Sequence, residues 1–207
     1  MTDIKKVIEE AGIVVLADAW LAGAFGSKQG CILEPADIKG QKIRSAGATF
    51  AEMWAGAGAS IIQIPSNEVY NALQTGVADA TDTSTGSFVS FRLYEQLQCV
   101  TTPGDNALWF MYEPVLMAKK SFDRLDEKQK AALLAAAKKS EDFFFAESRK
   151  LDVAMEETFK KAGVKVVAMS DAQVAKWREV AQGTSYKTFA EQVPGGKELI
   201  EKALAVK

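Results

Sequence analysis

Apolar positions along the chain come in short blocks, each closed by a glycine, a proline or a capping residue. "GIVVLADAW" (12–20) is a β-branched apolar run and predicts a buried strand. "AGAFGSKQG" (22–30) reads as a Gly-rich connection and "KIRS" (42–45) as a short strand. Thr49 with Glu52 three positions on forms a capping box, which predicts a helix from Phe50 that stops near Gly58. "IIQIP" (61–65) is the next strand. Ser66 then caps a helix over 67–75, and Gly76 stops it. "VADAT" (77–81) follows as a strand. This alternation implies an α/β chain with a parallel sheet and right-handed crossovers. "ALWFMYEPVLMAKK" (107–120) reads as an extended segment broken at Pro114.

The next block has a different period. Asp126 and Gln129 form a second capping box, and Gly163 is the following stop. Between them 36 residues (127–162) contain no Gly and no Pro. Leu134, Ala137, Phe144, Leu151, Met155, Phe159 and Ala162 recur at helical spacing. One helix of that length reaches ~54 Å, whereas a ~100-residue domain has a radius of gyration of ~13 Å. Such a helix either crosses two lobes or kinks, and 139–141 is the place for a kink. "VKVVAM" (164–169) is a strand. A helix capped by Ser170 with Gln173 follows it, and another helix follows "VPGG". The segments 107–118 and 164–169 would suit a second sheet with few strands of its own. The chain thus reads as one complete lobe plus the remainder of another: 1–30 from a partial lobe I, 31–106 as lobe II, and 107–207 as the return to lobe I.

Composition narrows the function. With 25 basic against 27 acidic residues and no Lys/Arg-rich block, nucleic acid and anionic membrane surfaces are poor partners. No apolar run approaches the ~18 residues of a spanning helix. "MTDIKKVIEEAG" has no apolar core of a secretory signal. The 207 residues include no histidine, so the commonest general base and metal ligand is missing. No cofactor motif and no acid–base pair or nucleophile is legible, and an enzyme is not expected. Cys31 and Cys99 lie 68 positions apart and form no CxxC pair.

Arg44 is the main candidate for chemistry. It is expected at the carboxyl end of a strand, where open α/β sheets bind ligands. The N–H groups of the following helix point into the same crevice. A guanidinium fork there matches a carboxylate. An arginine paired with a nearby Asp or Glu explains the position equally well, and the pattern leaves both open. "GSKQG" (26–30) lacks the features of a phosphate loop. Asp79, Thr81, Asp82 and Thr83 cluster after a strand and suit metal ligation or a hydrogen-bonded ligand, with a solvated turn as the default. Trp109, Phe110 and Tyr112 form an aromatic cluster that suits a core.

Two motifs in order carry a family resemblance. "DIKGQKIR" (37–44) and "PSNEVYNALQTGVAD" (65–79), followed by "LMAKK" (116–120), resemble the solute-binding proteins of tripartite ATP-independent periplasmic (TRAP) transporters of the dicarboxylate type. The resemblance implies a type II-like periplasmic binding fold with two lobes, one of them partial here, and a long helix crossing both. It implies capture of an organic acid in the interlobe cleft, delivery to membrane permease subunits, and a periplasmic location. Arg44 stands where the family arginine meets the substrate carboxylate. Thr83 stands where the family often has an asparagine, with Asp82 beside it. Phe50, Trp20 and Trp109 are further candidate contacts, and the two tryptophans favour a more apolar acid. Family members are longer, so part of lobe I and of the pocket wall is expected to be missing. That predicts an exposed sheet edge, weak or no binding by the isolated chain unless it is complemented, and aggregation or pairing of two copies through the edge. The alternative is a binding-defective fragment acting as an interaction module. An oxidising periplasm also implies a Cys31–Cys99 disulfide, with two reduced core cysteines as the alternative.

Overall fold

The computed structural model describes residues 2–205. Strands occupy β1 Ile13–Ala17, β2 Trp20–Ser27, β3 Lys42–Arg44, β4 Ser60–Ile62 and β5 Ala80–Ser84. They continue with β6 Cys99–Thr102, β7 Phe110–Tyr112, β8 Val115–Ala118 and β9 Lys165–Ala168. Helices are α1 Thr2–Glu10, α2 Ala48–Gly56, α3 Val69–Thr75, α4 Thr85–Ser90 and α5 Lys119–Asp123. The last four are α6 Glu127–Lys161, α7 Asp171–Gly183, α8 Ser185–Gln192 and α9 Gly196–Leu204.

The larger sheet runs β4-β3-β5-β2-β6-β9, with β7 paired to the leading end of β2. β3 is parallel to β4 and β5, and β6 is parallel to β9. β1 and β8 form a separate antiparallel ribbon. This is the expected α/β fold with a parallel-rich sheet. One face packs Val69, Leu73, Phe88, Met155 and Phe159 from α3, α4 and α6. The other packs Ile43, Met53, Trp54 and Trp177 against Phe25. Apolar area removed from water on both faces is the main stabilising contribution.

The 22–30 stretch is a correction: residues 20–27 form the central strand β2, antiparallel to β5 and β6. Its glycines answer to close packing. A Cβ on Gly23 would lie 2.0 Å from the Trp109 ring, and one on Gly26 2.8 Å from the Cys99 carbonyl oxygen. Glycine in a strand lowers its local signal, and here it admits a neighbour. β9 is a second correction. It extends the larger sheet beside β6, where its Val166 packs on the core, and only β8 joins β1 apart from that sheet.

Three boundaries also move. α2 begins at Ala48 with an extended Gly47 as N-cap, and the Thr49–Glu52 capping box does not form. β5 starts at Ala80, because the Asp79 carboxylate and N–H are bonded to the backbone of Lys42. Residues 66–68 make a 3-10 turn before α3, and the Ser66 side chain caps nothing. Gly76 ends α3 with φ 76°, as expected.

α6 is one helix of 35 residues, with no break at 139–141. Its capping box forms: the Gln129 N–H donates to Asp126 and the Asp126 N–H to Gln129. Its first half holds the ribbon, where the Asp18 N–H donates to Glu141. Its second half holds the sheet, where the Thr85 and Thr102 hydroxyls donate to Asp152 and Glu156. The helix therefore bridges ribbon and sheet. The ribbon leaves Val115 52% and Leu116 48% exposed. Cys31 and Cys99 are joined as a disulfide, with Cα atoms 5.0 Å apart.

Candidate functional site

Arg44 closes β3 and is 4% exposed. Three of its five N–H groups serve the protein. Nε donates to the Ile64 carbonyl (3.0 Å), Nη1 to the Asp82 carbonyl (3.1 Å) and Nη2 to the Ser66 hydroxyl (3.0 Å). One N–H on each terminal nitrogen remains. The guanidinium borders an open cavity of about 460 Å³, whose walls include Ser45, Gly47, Ala48, Gln63 and Ser66. The amino end of α2 borders the same cavity. No side chain caps it, so the N–H groups of its first turn are available. Arginine fork and helix terminus together favour a carboxylate or another anion.

Asp82 lies behind this cavity, on β5, and is fully buried. Its carboxylate accepts from the Ser45 hydroxyl (2.9 Å), the Ala46 N–H and the Trp54 indole N–H. It thereby fixes the loop that leads from Arg44 into α2. Burial pushes its pKa up to about 6, even though those three donors and the Arg44 charge all favour the ionised form. Burial likewise lowers the Arg44 pKa, and the Asp82 charge opposes that shift.

A stability prediction follows. The Asp82 pKa is higher folded than unfolded, so between about pH 4 and 6 the native state holds the extra proton. The stabilising contribution of the protonated form is then lost as pH rises through about 6. Denaturant titrations at pH 4.5 and 7 are expected to show this site contributing roughly 2 kcal/mol less at the higher pH. In Asp82→Asn that slope disappears. The variant is also less stable throughout, because one amide cannot accept from all three donors.

The other expected contacts are spread out. Thr83 is buried on β5 opposite Ala24, and its hydroxyl borders none of the cavities described here. Phe50 and Trp109 meet with ring centroids 4.5 Å apart and wall a separate cavity of about 190 Å³. Trp20 stacks on Tyr112 at 4.5 Å beside a third cavity, with Asp18, Glu141 and Phe145. The Tyr112 hydroxyl donates to Asp18, which also pairs with Lys5 at 2.6 Å. Sequence reading missed Ser45, Ser66 and Trp54, the residues that hold Arg44 and Asp82 in place. Ser66 was legible only as a helix cap, and Trp54 only as an apolar helix position.

Comparison with known proteins places this arrangement. Residues 1–192 match the model of bacterial extracellular solute-binding protein family 7, DctP. The chain belongs to this family. A solute-binding protein of Albidiferax ferrireducens is 37% identical to the family 7 chain over 201 residues, 97% of this chain and 60% of the relative. A Haemophilus influenzae relative is 28% identical and is covered to 61%. The family 7 chain thus spans about three-fifths of the length of these relatives. A TRAP periplasmic solute-binding protein from Rhodoferax ferrireducens, solved with bound malonate, superposes with a TM-score of 0.91 at 35% identity. It covers all of this chain, which covers 67% of it. One from Roseobacter denitrificans, solved with β-D-glucuronate, has a TM-score of 0.89 at 26% identity, with the same coverage. The family is one of solute-binding proteins, and among the described residues no helix is long and apolar enough to cross a membrane.

Proposed function

We propose that the chain forms the arginine-bearing side of an extracytoplasmic TRAP-type receptor for an organic acid, which it passes to membrane permease subunits in the periplasm. The observation that carries this reading is Arg44: a buried guanidinium with two N–H groups left at a cavity that also receives an uncapped helix terminus. The carboxylate binds Arg44 bidentately and the first turn of α2 adds N–H donors. Asp82 and Ser66 act as positioning residues, whereas Thr83, Phe50, Trp20 and Trp109 lie outside this cavity. Malonate and glucuronate in the related structures both carry the carboxylate this site would take. The same reading includes pairing of two copies at the open β1–β8 ribbon, where Val115 and Leu116 are half exposed.

Titration calorimetry of this chain with malonate tests the proposal. The expected result is a saturable exothermic signal that weakens with salt, as a charge-based contact does. The absence of any signal at millimolar malonate, from a folded sample, would remove Arg44 as an acid receptor in this chain.

A further inference from the structure

A second charge is built into the Arg44 site from behind. Asp82 is fully buried on β5, and its carboxylate holds the cavity wall from the inside. It accepts from the Ser45 hydroxyl (2.9 Å) and the Ala46 N–H, and both residues line the cavity. Its backbone carbonyl accepts from Arg44 Nη1 at 3.1 Å. An anion on Arg44 and the charge on Asp82 therefore share one guanidinium and one loop.

The elements around Asp82 leave Arg44 as its charged neighbour. β3 brings Arg44 beside β5, β2 brings Phe25 in register, and α2 brings the Trp54 indole, which donates to the carboxylate. Arg44 is the charged group whose field acts on Asp82. Lys42 and Asp79 lie at the far ends of these strands, where Asp79 bonds the Lys42 backbone. Glu52 stands about 200° around α2 from Trp54. The chain has no histidine and its two cysteines are joined, so few side chains can change charge between pH 5 and 8. Burial brings Asp82 into that range. Asp152, also raised by burial, bonds Thr85 from α6 and does not line the Arg44 cavity.

A proton can be taken up here without loosening the loop. Protonated at Oδ2, Asp82 donates to Ser45 Oγ, and its hydroxyl oxygen still accepts from Trp54. Ser45 then turns its own hydrogen to the Gly47 carbonyl, 3.5 Å away. The Ala46 N–H stays on Oδ1. What changes is the charge. Ionised Asp82 offsets the field of Arg44, and protonated Asp82 leaves that field to a ligand.

We propose that the Arg44 site captures its acid together with a proton, so that anion binding and protonation of Asp82 favour one another. This rests on the acid-receptor reading above and adds its regulation. Affinity rises as pH falls, because each event removes repulsion from the other. Linkage makes both effects equal to one coupling factor, roughly tenfold for a direct neighbour of the binding arginine.

2,2-Difluoromalonate is the probe, because both of its carboxylates stay ionised at pH 5, whereas malonate itself titrates. Calorimetry of the whole chain should give roughly tenfold tighter binding at pH 5 than at pH 8. At pH 6.5, titrations in two buffers of different ionisation enthalpy should show uptake of about half a proton per anion bound. In Asp82→Asn the affinity should be the same at both pH values and the proton uptake should vanish. The uptake by the unaltered chain is free of any effect of that variant on folding. Equal affinities at pH 5 and 8, tighter binding at pH 8, or no uptake at pH 6.5 overturns the proposal. So does a pH dependence that Asp82→Asn keeps in full. If neither malonate nor difluoromalonate binds at either pH, the receptor reading itself fails and takes this one with it, a result distinct from binding that ignores pH.

Discussion

Arg44→Gln is expected to weaken malonate binding by at least ~30-fold, and toward ~1,000-fold if the anion is well desolvated. The size follows from what the side chain does. Its Nε, Nη1 and Nη2 are each anchored by one protein acceptor, so the two remaining N–H groups have a fixed direction. A fork held in this way loses little freedom when an anion arrives. Glutamine removes the charge and shortens the reach, so both bonds to the ligand go together. Arg44→Lys separates charge from geometry. Lysine keeps a cation and cannot present two parallel donors, so its affinity should fall between wild type and Gln. Calorimetry on the three proteins, with circular dichroism to establish folding, gives the order. If Gln binds malonate within threefold of wild type, the helix terminus alone holds the anion and the role given to Arg44 is wrong.

The order of elements was legible because this chain marks them with local chemistry. Asp126 with Gln129 and Ser170 with Gln173 announced α6 and α7, and both boxes form. Gly76 ended α3 for a purely steric reason. What failed were places where a residue answers to a distant partner. Gly23 and Gly26 looked like a loop because glycine usually loosens a chain. They sit in a strand because Trp109 and the Cys99 backbone press against them. Ser66 looked like a cap and instead accepts from Arg44, 22 residues away. The 164–169 strand looked like part of a second sheet, since nothing local records that β6 is its parallel neighbour. In the site, Arg44 could be found from its place at a strand end. Its support by Ser66, and the three donors gathered on Asp82, come from segments joined only by folding. The distribution of Trp20, Phe50 and Trp109 over two further cavities was beyond any local signal.

Reduction of the Cys31–Cys99 bond is expected to be the largest single loss of stability in the chain. The bond closes a loop with a sequence separation of 68, which contains β3, α2, β4, α3, β5 and α4. Released from that loop, the unfolded chain gains entropy equivalent to roughly 4 kcal/mol on a chain-entropy account. The native state gains little in return. Cys99 is 1% exposed and starts β6, and Ser27 pairs with it across β2, so the sheet holds the register without the bond. The loss should therefore appear as a weaker protein with the same fold. For a chain of this length it corresponds to a fall in Tm of about 8–16 °C. The denaturant m-value should rise, because the unfolded state expands once the loop opens. Cys31→Ala with Cys99→Ala gives the same comparison without reductant. An equal Tm for the bonded and unbonded proteins would mean that the unfolded chain keeps 31 and 99 close by other contacts, and that the bond constrains nothing. Because β3, β5 and the turn at Ser66 all lie inside the loop, the bond also confines in the unfolded chain the segments that carry Arg44, Asp82 and Ser66. The Arg44 site should then recover malonate binding more slowly after denaturation in the reduced protein than in the oxidised one.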